Sequence, residues 1–134
     1  MSSFSLNVDK CKVLSYYRNK SPVLSNYYIN NISIIRVSEF KDLGVIFNFG
    51  LNFSSHIDMV TSKACRMLGF IRRNCNEFRD PYTLKSLYTS LVRSNLEFAS
   101  IVWMPSYNIY IKRLESIQKK FIKFYFRKFN FTND

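Results

Sequence analysis

What this 134-residue sequence has little of excludes several classes of protein. Three glycines and three prolines are too few for a collagen-like or low-complexity, loop-dominated chain. Cysteine is scarce and odd in number: Cys11, Cys65 and Cys75 include no Cys-x-x-Cys, and His56 is the sole histidine. A zinc-ligand spacing and a disulfide framework are therefore both missing, and reduced thiols in an intracellular setting, nucleus or cytoplasm, are expected. No uncharged apolar run approaches the roughly 18 residues that a membrane span needs. Met1 to Asn7 lacks the basic-then-apolar layout of a secretory leader, so a membrane partner is not expected. Acids are the last scarcity. The nine are Asp9, Glu39, Asp42, Asp58, Glu77, Asp80, Glu97, Glu115 and Asp134, with no Asp-Asp or Asp-x-Asp pair. Two-metal phosphodiester chemistry needs clustered carboxylates, and Gly44, Gly50 and Gly69 are too scattered to cradle a phosphate. Catalysis by this chain alone is not expected.

What is present is apolar and basic. A 47% apolar, 17% aromatic composition suits a chain with a real core and is too apolar for a disordered one. The net charge of +11 suits a polyanionic partner. Its distribution is uneven. Residues 1–53 carry six bases and three acids, residues 54–105 seven and four, and residues 106–134 seven and two, so the excess gathers at the C-terminal end.

The spacing of apolar residues changes near Ser54. Before it the chain has β character: Lys12 to Tyr17 is a β-branched and aromatic run, followed by the loop Arg18 to Pro22. Tyr27-Tyr28-Ile29 and Ile32-Ser33-Ile34-Ile35 flank Asn30-Asn31, a pair that tolerates positive φ and suits a tight hairpin. Leu43 to Phe47 is a further apolar run, where Gly44 suggests a bulge or a close backbone approach. After Ser54 three helical stripes follow. The first is Ile57, Val60, Ala64, Leu68, Ile71, Cys75 and Phe78. Asp80-Pro81 starts the second as an N-cap with proline at the first helical position, continuing through Leu84, Leu87, Leu91, Phe98 and Val102 until Pro105. Asn95 falls on that stripe and needs a hydrogen-bond partner if buried. The third is Ile111, Leu114, Ile117, Phe121, Phe124 and Tyr125. The expected fold class is α+β, a short antiparallel β segment over 1–53 and a three-helix bundle over 54–134.

The third helix has a second face. At 100° per residue, Lys112, Arg113, Lys119, Lys120, Lys123 and Arg127 lie opposite its apolar stripe. Most charged helix faces only keep a protein soluble. Here Glu115 is the helix's only acid, and an unbroken cationic ridge is what nucleic-acid phosphates would satisfy.

The order of short motifs resembles a known family. Leu6-Asn7-Val8-Asp9-Lys10-Cys11-Lys12-Val13, then Phe40-Lys41-Asp42-Leu43-Gly44-Val45, then Leu51-Asn52-Phe53-Ser54-Ser55-His56-Ile57 are similar in sequence and interval to non-LTR retrotransposon reverse transcriptases, particularly jockey-like elements. The likeness continues through Ser62-Lys63-Ala64, Leu68-Gly69-Phe70-Ile71-Arg72-Arg73, Leu87-Tyr88, Leu91-Val92-Arg93, Leu96-Glu97-Phe98-Ala99-Ser100, Trp103-Met104-Pro105 and Arg113 to Phe121, covering about Leu6 to Lys128. Ser94 and Asn48 depart from the proline and aspartate that are common in relatives.

The resemblance implies the edge of a polymerase palm over 1–53 and a thumb over 54–134, downstream of the catalytic aspartates. The complete enzyme would use Mg2+, whereas this chain implies no cofactor of its own. The resemblance implies RNA, an RNA–DNA hybrid or a DNA duplex as the partner, held through phosphates; whether a palm lies upstream or is supplied by another chain stays open. Leu43 and Gly44 would form a primer grip, with Gly44 allowing close backbone approach. Lys10 would lie on the pyrophosphate side, although a solvated lysine is the plainer reading. Arg72, Arg73 and Arg93 are candidate phosphate contacts. Trp103 either stacks on a base or anchors the core. A different class of function stays open: a helical interaction module whose uncovered β segment is completed by a partner chain.

Overall fold

The computed structural model describes residues 4–98, 100–103 and 108–129, in two units that divide between Phe53 and Ser54. Pro105 and Met104 lie outside the described residues. The architecture is α+β.

The first unit holds six strands, β1 (Val13–Leu14), β2 (Tyr28–Ile29), β3 (Ile32–Ser33), β4 (Arg36–Val37), β5 (Glu39–Asp42) and β6 (Val45–Asn48). They pair only two by two: β2 with β3 and β5 with β6 antiparallel, but β1 with β4 parallel. Two of the three pairs thus have the antiparallel pairing expected of this segment, and β1 with β4 adds a parallel one. A neighbour for the Lys12–Tyr17 run comes from a distant stretch of chain, and local spacing cannot reveal its direction. Asn30 and Asn31, at φ 49° and 61°, make the expected two-residue hairpin turn. Gly44 is not inside a strand. With Leu43 (φ 47°) and its own φ of 83° it forms a second such turn, flanked by the Asp42–Val45 pair. Arg36 ties the long connection after β1 at both ends, its guanidinium donating to the Ser15 hydroxyl and the Ser25 carbonyl.

In the second unit α1 (Ser54–Asn74) carries the first stripe as expected: Ile57, Val60, Ala64, Leu68 and Ile71 are buried, as is Cys75 in the 3-10 turn after it. Asp80 caps α2 (Pro81–Tyr88), its carboxylate accepting from the Tyr82 and Thr83 amides at 3.2 Å and the Thr83 hydroxyl at 2.9 Å. The second stripe is corrected. A π-helical turn (Thr89–Arg93) joins α2 to α3 (Ser94–Glu97), and Phe98 is extended at ψ 124°. A short α4 (Ser100–Trp103) follows. The wide turn suits a strict four-residue repeat, so Leu84, Tyr88 and Val92 form the core edge, while Leu87, Leu91 and Leu96 pack beside it. Phe98 and Val102, expected on the stripe, are exposed because the break at Phe98 ends the periodicity. Asn95, half-buried, donates to the Leu91 carbonyl at 2.5 Å.

The break has its own partner. The indole of Trp103, only 1% exposed, donates to the carbonyl of Phe98 at 2.6 Å and meets His56 edge-on, with ring centroids 5.1 Å apart. Trp103 is therefore a core anchor and has no face to offer a base. Helix α5 (Asn108–Phe129) closes the core with Ile117 and Phe121, the latter stacked on Tyr88 at 3.9 Å between centroids.

Candidate nucleic-acid interface

Helix α5 is long and amphipathic, and the core claims the apolar stripe on one side of it. Lys112, Lys119, Lys120, Lys123 and Arg127 are exposed, as their positions opposite that stripe require. Arg113 is different. Its guanidinium donates to the Asp58 carboxylate at 2.5 Å and reaches the Thr61 hydroxyl at 3.4 Å, tying α5 to the first turns of α1. Lys119 has the Glu115 carboxylate at 3.5 Å, one helical turn away. The ridge of six cations without acids is thus corrected: an acid on another helix and one on its own engage two of them. Lys112, Lys120, Lys123 and Arg127 remain without an ion pair among the described residues. They span about 22 Å of helix at 1.5 Å per residue.

Helix α1 runs beside α5 in the same direction, because Asp58 meets Arg113 near one end and Lys128 donates to the Cys75 carbonyl near the other. Between them lies a shallow groove of about 280 Å3 with Thr61, Ser62, Cys65, Arg113, Ser116 and Lys120 on its walls. Further along the seam the Arg72 guanidinium lies 5.6 Å from the centroid of the Phe124 ring, a cation–π contact that brings it onto α5. Arg73 is exposed and folds back over Gly69, where an added Cβ would stand 3.4 Å from its Nη1. Arg93 is not brought to this seam. It pairs with Glu97 at 2.7 Å, which raises the guanidinium's pKa further through that hydrogen bond, and it lines the opposite side of α5 with Tyr88 and Gln118.

The sequence-assigned residues of the first unit occupy turns. Lys10 ends a 3-10 turn (Val8–Lys10) that Asn7 caps, its side-chain oxygen accepting from the Asp9 amide at 3.1 Å, and Lys10 is exposed. Leu43 projects from its hairpin tip at 87% exposure. Cys11, Cys65 and Cys75 are all free thiols. Among the described residues no three His, Cys, Asp or Glu side chains gather as metal ligands, and no helix is long and apolar enough to cross a membrane.

Sequence reasoning missed four contributors. Asp58 removes Arg113 from the ridge, Tyr88 and Val92 hold α5 in place, and Arg36 ties its loop. The repeat Leu84, Tyr88, Val92, Leu96 was a visible signal for Tyr88 and Val92, but it competed with an equally apolar repeat at Leu84, Leu87 and Leu91. Comparison with protein-family models, with curated proteins and with solved structures finds no match.

Proposed function

We propose that this chain is the palm-edge and thumb portion of a non-LTR retrotransposon reverse transcriptase, and that its second unit grips the phosphates of a template–primer duplex. The observation that carries the reading is the row of Lys112, Lys120, Lys123 and Arg127 on α5, exposed and without acid partners among the described residues, with Arg72 added from α1. Cations already paired within the chain contribute little to binding an anion, so these four set the strength of the contact. The order of motifs from Leu6 to Phe121 supports the assignment to that family. The chain carries no paired carboxylates, so polymerisation would need the carboxylates of a palm, upstream in the same polypeptide or on another one, with Mg2+ held there.

Binding should be electrostatic and indifferent to sequence. Titrating a fluorescent RNA–DNA hybrid at increasing salt should give a log–log slope of about −3 to −4, the value for some four neutralised phosphates. Replacing Lys120→Glu, Lys123→Glu and Arg127→Glu together should abolish binding at moderate salt while leaving the helical circular dichroism unchanged. A slope near zero, or full affinity in that variant, would falsify the reading.

A second reading draws on the first unit. Val45 and Asn48 are its only described residues that are buried, while Val23, Tyr28, Ile35 and Leu43 are exposed. A β layer this thin is completed by more polypeptide. The second reading is an interaction module, with that partner supplied in trans. Pull-down of a monodisperse chain with a separately expressed palm tests it: no retention, and no change in the exposure of these residues to labelling, would rule it out.

A further inference from the structure

On the side of α5 away from α1, two hollows of about 570 and 320 Å3 meet end to end. They share Tyr88, Arg93 and Gln118 as a common saddle, so together they make one trough. It runs from Trp103 and Leu114 at one end to Phe121, Ile122 and Phe126 at the other. Leu114 to Phe126 measures about 18 Å along the helix, the length of about three helical turns. The opposite wall is the π-helical turn Thr89–Arg93, a wide-turn geometry that recurs at functional sites.

We propose that this trough seats one amphipathic helix of a protein partner, apolar on the buried side and acidic on the flank that meets α2. The apolar requirement comes from Ile122 and Phe126, 40% and 44% exposed on a wall whose floor is the buried Tyr88–Phe121 stack. The acidic requirement comes from charge. Glu97, the acid in the lining, is already engaged by Arg93, whereas Lys85 lines the trough without an acid partner among the described residues. An acidic flank answers Lys85, and a helix laid in a groove places apolar side chains every three or four residues against such a floor. This inference does not depend on nucleic-acid binding, because none of Lys112, Lys120, Lys123 and Arg127 lines the trough.

Trp103, the only tryptophan, lines one end and reports on occupancy by its fluorescence. The probe is a synthetic 16-residue peptide with leucines at three- and four-residue spacing and glutamate elsewhere. Its control has the same composition scrambled. The patterned peptide should bind the full chain saturably, shift Trp103 emission and gain helicity. The pair Ile122→Ser and Phe126→Ser, which leaves every charge in place, should weaken it about tenfold, as truncation of interface anchors does. Equal binding of the scrambled peptide would reduce the effect to charge and overturn the proposal. So would loss of hybrid affinity, instead of peptide affinity, in the double variant, which would make the trough a nucleic-acid surface. Absence of binding by the patterned peptide at millimolar concentration would also overturn it.

Discussion

At the scale of single residues, the side chains that looked alike in sequence divide by their partners. Arg113 and Lys120 sit on one helix face, yet one is held by Asp58 and the other faces solvent with no acid beside it. Leu43 pays twice at its hairpin tip, in a left-handed conformation that disfavours a branched side chain and in exposed apolar surface. Asp80 does the opposite and serves folding alone. The Thr83 hydroxyl, followed by the Tyr82 and Thr83 amides against a burial effect, holds its carboxyl below the ordinary 3.8. Its folded pKa is depressed, so its contribution is complete above the unfolded value and vanishes as pH falls through the folded one. The stability gap between the wild type and Asp80→Ala should therefore be open at neutral pH and close as acidification below 3.8 carries the carboxyl through its lower folded pKa. Denaturant melts across that range measure it, and a gap that stays constant would refute the capping role.

At the scale of elements, the π-helical turn decides which residues hold α5. On a standard helix Tyr88 already shares the face of Leu84, one turn away, but Val92 would drift further round; the wide turn over Thr89–Arg93 brings Val92 back onto that face, and both are buried. Val92 is fully buried and Leu91 only partly so, which reverses the usual expectation that the larger residue matters more. Val92→Ser should therefore destabilise the protein by at least about 1 kcal/mol more than Leu91→Ser, since a buried hydroxyl without a partner adds to the lost packing. Equal losses in urea melts would mean that the helix continues regularly. The break at Phe98 follows the same economy of partners. Its carbonyl, released from the helix, is taken by the Trp103 indole, and that bond directs α4.

At the scale of the whole molecule, the two units differ in what they bury. The second has a continuous core from Ala64 to Phe121, and the first has three separate strand pairs. Residues 54–134 expressed alone should melt cooperatively, and residues 1–53 alone should not. Calorimetry of the two fragments tests this. A cooperative transition in the shorter one would remove the argument that its β layer is completed by a partner. The charge of +11 belongs to this scale too, since a net charge of that size would act on any polyanion before a single lysine made contact.

Reading along the chain was enough wherever the signal was local. The cap at Asp80-Pro81, the Asn30-Asn31 turn, the α1 stripe and the change of periodicity at Ser54 each rest on residues within a few positions of one another, and backbone preference and helical period act over that range. The cationic face of α5 was legible for the same reason. Which of its charges remain available was not, because Asp58 stands 55 residues from Arg113 and only packing brings them together. The parallel pairing of β1 with β4, the choice between two apolar repeats in the second helix, and the burial of Trp103 against His56 were likewise settled by neighbours remote in sequence. Local pattern determined the elements and their charged faces. Tertiary contact decided which atoms were left to bind, since an ion pair or a buried ring forms only after the chain has folded back on itself.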